Sequence, residues 1–161
     1  MKSLDEILKM EDPSGYLYEY TTENGRLKVK WEELLSLLGG PRWLYHYAHD
    51  IIKGRWLEAE EYIKEDPHYA YWYARDVIGK RWKEAEKYIK KDSQWAYEYT
   101  YFVIGMKWPE AEEYIKKDPK WAYKYTINII KERWPEAEEY IKEDLYWWQL
   151  YYEYFNIKGV R

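Results

Sequence analysis

The sequence predicts an all-α solenoid of about six short helix-turn-helix repeats, and three observations carry that prediction. The stretch RWPEAEEYIKED at 133–144 returns, nearly unchanged, at 55–66, 81–92 and 107–118, a step of 26 residues. The same step carries Trp56 to Trp82, Trp108 and Trp134, Tyr62 to Tyr88, Tyr114 and Tyr140, and Asp66 to Asp92, Asp118 and Asp144. Self-similarity at a fixed period is the signature of a repeat array. Inside each block the apolar residues recur with the period of a helix rather than of a strand. The expected layout is one domain over 1–161, with an irregular N-terminal cap at 1–30, repeats at 31–144 and a C-terminal capping helix at 145–161.

The cap comes first. LDEILKMEDPSGYLYEYTT from Leu4 reads as a degenerate unit, and Asn24-Gly25 after it is a strong two-residue hairpin turn. Folding on that turn sets Tyr18 against Trp31, Tyr20 against Val29, Thr22 against Leu27 and Glu23 against Arg26, a β-hairpin over 16–31. A second reading aligns YLYEYT with WAYEYT at 95–100 and makes the segment a helix that ends at Gly25. The stretch from Trp31 is then another unit, one residue shorter in its first helix.

Each full unit holds two helices, A and B. Pro109 suits a first helical position, where its missing N–H is not needed, and Glu110 and Glu112 sit well at a positive helix end. Asp118-Pro119 starts helix B by the same logic, as does Asp66-Pro67; Asp92-Ser93 and Asp144-Leu145 keep the capping oxygen without the proline. Gly79 and Gly105 are placed to end their B helices in a left-handed residue. On helix A the core stripe is Ala59, Tyr62 and Ile63, with Trp56 just before it. On helix B it is Ala70, Tyr73, Ala74, Val77 and Ile78, the alanines admitting a neighbouring helix closely. The recurrent aromatics therefore read as core and inter-repeat packing, with Glu58 or Arg55 as partners for their polar atoms. Glu58 and Glu60 read as a solvated face paired with Lys64. At the far end Trp148 and Tyr152 replace the small Ala122 and Thr126, so the last helix is a cap or a contact between copies of the chain.

Composition excludes several function classes. Hydrophobic residues make up 47% of the chain and aromatics 21%, enough for a packed core at 161 residues. The 26 basic and 30 acidic side chains are mixed along the repeats, for a net charge of -4, with no basic stripe of the kind that grips phosphates. There is no cysteine, no charged-then-apolar leader and no apolar run of bilayer length, so a reducing cytoplasm is the expected address and no membrane the expected partner. Glycine-rich phosphate loops and serine-histidine constellations are missing, so no enzyme and no cofactor are expected. His46 and His49, with Asp50 adjacent and His68 one repeat on, read as a polar patch rather than as a metal site.

The units KGRWLEAEEYIKEDPHYAYWYARDVI and RWPEAEEYIKKDPKWAYKYT resemble the tandem GRWPEAE…I…DP..AY.YA..VI helical repeats of uncharacterised proteins of tailed phages and giant viruses. Gly105-Met106-Lys107 and Lys131-Glu132-Arg133 depart from the usual lead-in. The resemblance implies a helical solenoid of viral origin, at work in the host-cell cytoplasm, and it carries no catalytic residue.

Function is expected where the repeats differ. Helix A is nearly constant, whereas helix B varies at its outward positions. The site of Trp72 holds His46, Glu98, Lys124 and Leu150; that of Arg75 holds His49, Tyr101, Ile127 and Glu153; that of Asp76 holds Asp50, Phe102, Asn128 and Tyr154. His68 occupies a fourth such position. One constant face and one varied face is how repeat proteins build recognition surfaces, with Trp72, Tyr101, Phe102 and Tyr154 as anchors. The expected activity is docking on a host protein, as an inhibitor of a defence factor. Two alternatives stand beside it. The aromatics, with Arg42, Arg55, Arg75, Arg81, Lys80, Lys107 and Arg133, could sequester a nucleotide or stack single-stranded nucleic acid. A structural role would join copies as a homo-oligomer through Trp147, Trp148, Tyr151, Tyr152 and Tyr154.

Overall fold

The computed structural model describes residues 40–157, the backbone of two short strands before them, and Glu6 and Lys9. The strands, β1 (Thr22–Glu23) and β2 (Arg26–Leu27), pair antiparallel with Thr22 opposite Leu27 and Glu23 opposite Arg26. The turn residues, the rungs drawn through Tyr18, Tyr20, Val29 and Trp31, the rest of the unit from Leu4 and the first helix of the unit from Trp31 lie outside the described residues, as do residues 158–161.

From Gly40 onward the described chain is helical. In order come α1 (Pro41–His46), α2 (Leu57–Ile63), α3 (Pro67–Trp72), α4 (Lys83–Ile89), α5 (Ser93–Tyr99), α6 (Pro109–Ile115), α7 (Pro119–Tyr125), α8 (Pro135–Ile141) and α9 (Leu145–Tyr154). Even-numbered helices are the A helices and odd-numbered ones the B helices. The chain divides into two compact units, Met1–Gly79 and Lys80–Arg161. The first holds α1 to α3 and the second α4 to α9.

Local chemistry sets the boundaries. The Asp66 carboxylate accepts the backbone N–H groups of His68 and Tyr69, Asp92 that of Trp95, Asp118 that of Trp121, and Asp144 those of Tyr146 and Trp147. Each cap satisfies amides that the first helical turn leaves orphaned and stabilises its helix by about 1 kcal/mol. The A helices have no side-chain cap; Trp56, Trp82, Trp108 and Trp134 stand at their N-caps, with φ between -114 and -122. Another element supplies what is missing there.

The B helices end in a way that 3.6-residue periodicity does not announce. α1, α3, α5 and α7 widen into π-helix over Tyr47–Ile52, Tyr73–Ile78, Thr100–Ile104 and Thr126–Ile130. The Gly105 N–H reaches back to the Thr100 carbonyl and the Lys131 N–H to that of Thr126, at 2.8 and 2.7 Å. Thr100 and Thr126 also donate their hydroxyls to Ala96 and Ala122, but Ala48 and Ala74 hold that position in the first unit, so the threonine bond is not the common cause. What the four share is a left-handed closing residue: Gly79 and Gly105, as the glycines imply, and also Lys53 and Lys131.

The core is built from the repeated small and large residues. Ala59, Ala85, Ala111 and Ala137 are fully buried, as are Ile63, Ile89, Ile115 and Ile141, beside the tryptophans that open the A helices. Tyr62 departs from the expected stripe and is 55% exposed. α2 has only two turns, and Ala59, Glu60 and Ile63 occupy its inner side, which leaves Tyr62 at the edge.

Candidate functional site

One polar constellation recurs in every described repeat and answers the missing A-helix caps. The Tyr73 hydroxyl accepts the Trp56 backbone N–H at 2.7 Å and donates to Glu60 at 3.0 Å. Tyr99 does the same with Trp82 and Glu86, Tyr125 with Trp108 and Glu112, and Tyr151 with Trp134 and Glu138. Arg55, Arg81 and Arg133 fork onto Glu60, Glu86 and Glu138 through Nε and Nη2. Burial pushes the Tyr73, Tyr99 and Tyr125 hydroxyls up and that of Tyr151 to about 12; the donated Trp N–H opposes the shift and the neighbouring glutamate adds to it.

This corrects two expectations. Glu60 and Glu138 are buried, not part of a solvated face, and Lys64 pairs with Glu61, as Lys116 pairs with Glu113. The hydroxyl partner is Glu60 rather than Glu58. The third of these repeats also breaks the pattern, because Lys107 stands where the arginine should be and contacts Glu132 instead, at 3.2 Å.

The variable B-helix residues fall into two clusters, one in each compact unit. In the first, the His46 and His49 Nδ1 atoms lie 3.3 and 2.6 Å from the two Asp50 oxygens. Tyr45 stacks on His49 and donates to Asp76 at 3.0 Å. Arg75 bonds Asp76 and the Tyr71 hydroxyl, and its guanidinium lies 3.9 Å from the centre of the Trp72 ring. His68 stacks on Tyr69 and meets Trp72 edge-on. These polar groups satisfy one another, and Asp76 bonds a tyrosine 31 residues earlier.

In the second unit Tyr97 is the hub. Asn128 donates to its hydroxyl at 2.9 Å, Tyr101 stacks on its ring, and Lys124 lies over both Tyr97 and Trp121. Phe102 meets Tyr101 edge-to-face, with ring centres 4.8 Å apart. Tyr101 and Phe102 are 45% and 56% exposed, and Met106 after them 66%. Glu98 is half-buried on α5, and Tyr154 is exposed against Phe155 at the end of α9. Sequence reasoning passed over Tyr45 and Tyr97, although their signal was present: tyrosine holds positions 45, 71, 97 and 123 in succession.

The tyrosine clamp also joins consecutive repeats. Tyr47 packs on Trp56, Tyr99 on Trp108 and Tyr125 on Trp134, each with ring centres 5.4 Å apart. Tyr97 and Tyr123 similarly meet the aromatics at 121 and 147.

Among the described residues no group of three or more histidine, aspartate or glutamate side chains could hold a metal ion, and no helix is long and apolar enough to cross a membrane. Compared with known proteins, the chain matches no family model, no curated protein and no solved structure.

Proposed function

We propose that the chain is a non-enzymatic interaction module: a solenoid of about six helix pairs, entered through a hairpin over 16–31, that docks on another protein through the outer side of its B helices. The observation that carries the reading is the exposed Tyr101–Phe102 pair. At the equivalent positions of a neighbouring repeat, Asn128 bonds Tyr97, and in the first unit Arg75 and Asp76 bond each other, Tyr71 and Tyr45. Tyr101 and Phe102 instead offer two aromatic rings to solvent from a π-helical segment, a backbone form frequent at functional sites. Aromatic side chains of this kind are the usual energetic anchors of protein interfaces. The viral origin and the host protein as target, including a defence factor inhibited in the host cytoplasm, rest on the resemblance of the repeat motif.

The test is affinity capture from host-cell extract with the wild-type chain and a Tyr101→Ala, Phe102→Ala variant side by side. A stoichiometric protein retained by the first and lost by the second, at unchanged melting temperature, supports the reading. Equal capture by both would remove it. Recovery of a nucleotide without protein would favour the sequestering alternative, and a concentration-dependent mass in solution the self-assembling one.

A further inference from the structure

Three of the four described A helices carry an internal arginine on their inward glutamate. Arg55 holds Glu60, Arg81 holds Glu86 and Arg133 holds Glu138, each with two nitrogens on two carboxylate oxygens. The fourth has Lys107 at the arginine's position. An ammonium cannot form the planar two-point contact. Lys107 turns away to Glu132, and Glu112 keeps the Tyr125 hydroxyl at 3.0 Å, with no ion pair among the described residues. Beside Glu112 opens a cleft of about 420 Å³, whose lining includes Pro109, Ile130, Trp134 and Glu136. The cations on its wall are already matched: Lys107 by Glu132, Lys116 by Glu113 and Arg133 by Glu138. Its unmatched charge is therefore negative, at Glu112 and Glu136, which disfavours a phosphate and favours a cation.

We propose that the cleft at Glu112 receives a guanidinium from outside: the arginine side chain of a partner polypeptide, seated where Arg55, Arg81 and Arg133 sit in the other repeats. The three internal copies define the fit. Each shows a half-exposed arginine whose head reaches a shielded carboxylate oriented by a tyrosine hydroxyl, and at Glu112 the carboxylate and the hydroxyl are in place without the arginine. Ile130 and Trp134 supply apolar wall for the methylene stem. A fork-to-fork contact in a recess is stronger and less screened than a surface ion pair. The site stands apart from the Tyr101–Phe102 reading and does not need it.

The experiment titrates the full chain with two capped tripeptides, acetyl-Gly-Arg-Gly-amide and its lysine counterpart, and follows amide resonances of residues 109–116 and the Trp134 indole by NMR. The arginine peptide shifts these signals saturably and binds about tenfold more tightly than the lysine peptide, the difference expected for a charge-assisted second hydrogen bond. Glu112→Gln, which keeps an acceptor for Tyr125, abolishes the binding. Two variants at one position separate occupancy from damage, since both remove the Lys107–Glu132 contact. Lys107→Ala retains the binding, and Lys107→Arg loses it by filling the place from within. Equal affinity for the two peptides, no saturable shift, displacement by inorganic phosphate, or equal binding by the two Lys107 variants would each overturn the assignment.

Discussion

The Tyr99 hydroxyl sits 2.6 Å from the Trp82 backbone nitrogen, so a side chain of a B helix caps the A helix that begins 17 residues before it. Trp82 offers its own helix no capping oxygen, and the hydroxyl passes its proton toward Glu86, so one phenol satisfies a donor and an acceptor together. Tyr99→Phe leaves the buried Trp82 N–H without an acceptor and Glu86 with Arg81 alone. The expected cost is about 1–3 kcal/mol, read as a lowered urea midpoint with unchanged slope. Tyr101→Phe, on an exposed ring, is the control and should stay within about 0.5 kcal/mol.

The same hydroxyls make stability sensitive to alkali. Burial, with the neighbouring glutamates, raises the folded-state values of Tyr73, Tyr99, Tyr125 and, to about 12, Tyr151. A tyrosine whose folded value lies above its unfolded one, about 10, holds its proton more tightly in the native state. Its contribution is therefore complete below pH 10 and falls as the pH rises from 10 toward 12. Phenolate absorbance at 295 nm should show a fraction of the 21 tyrosines ionising only together with loss of the helical circular dichroism signal. Ionisation of all tyrosines before that loss would contradict the constellation.

Trp108 joins two repeats, because its ring packs on Tyr99 while its N–H bonds Tyr125. It is 2% exposed. Trp108→Ala removes the largest side chain at that junction and should cost about 3–5 kcal/mol. Thermal unfolding followed by circular dichroism reads the loss directly, and a shift no larger than that of an exposed substitution would show the junction to be dispensable.

What the sequence made legible was local or periodic. The aspartate caps and the left-handed glycines each depend on residues within a few positions of one another, the 26-residue step repeats them, and they appear where the chain implied. What stayed hidden depends on a second element. Glu60 and Tyr62 flank the Ala59–Ile63 stripe equally on a helical wheel, and Tyr73, arriving from the next helix, joins Arg55 in holding Glu60 on the inner side while Tyr62 stays exposed. Asp76 and Asn128 read as outward-facing variable residues, yet each bonds a tyrosine 31 residues earlier. The wheel itself assumes 3.6 residues per turn, whereas Arg75, Asp76, Tyr101, Phe102 and Asn128 lie on wider π-helical turns. Exposure of Tyr101 and Phe102 was legible because no repeat-wide role claims those positions.

The closing residues of the B helices give a prediction with opposite signs at equivalent sites. Lys53 and Lys131 hold φ of 55 and 61, and Gly79 and Gly105 hold 68 and 73. A side chain in this region costs about 1–2 kcal/mol, partly offset by the greater unfolded-state entropy of glycine. Lys53→Gly and Lys131→Gly should therefore stabilise by about 0.5–1 kcal/mol, and Gly79→Ala and Gly105→Ala should destabilise by about 1 kcal/mol. Beyond its chain neighbours, no residue comes within 4 Å of a Cβ added at Gly79 or Gly105, so the penalty there is backbone strain alone. Urea unfolding of the four single variants measures it. A stabilising Gly→Ala exchange at either position would mean that the helix closes in another backbone conformation.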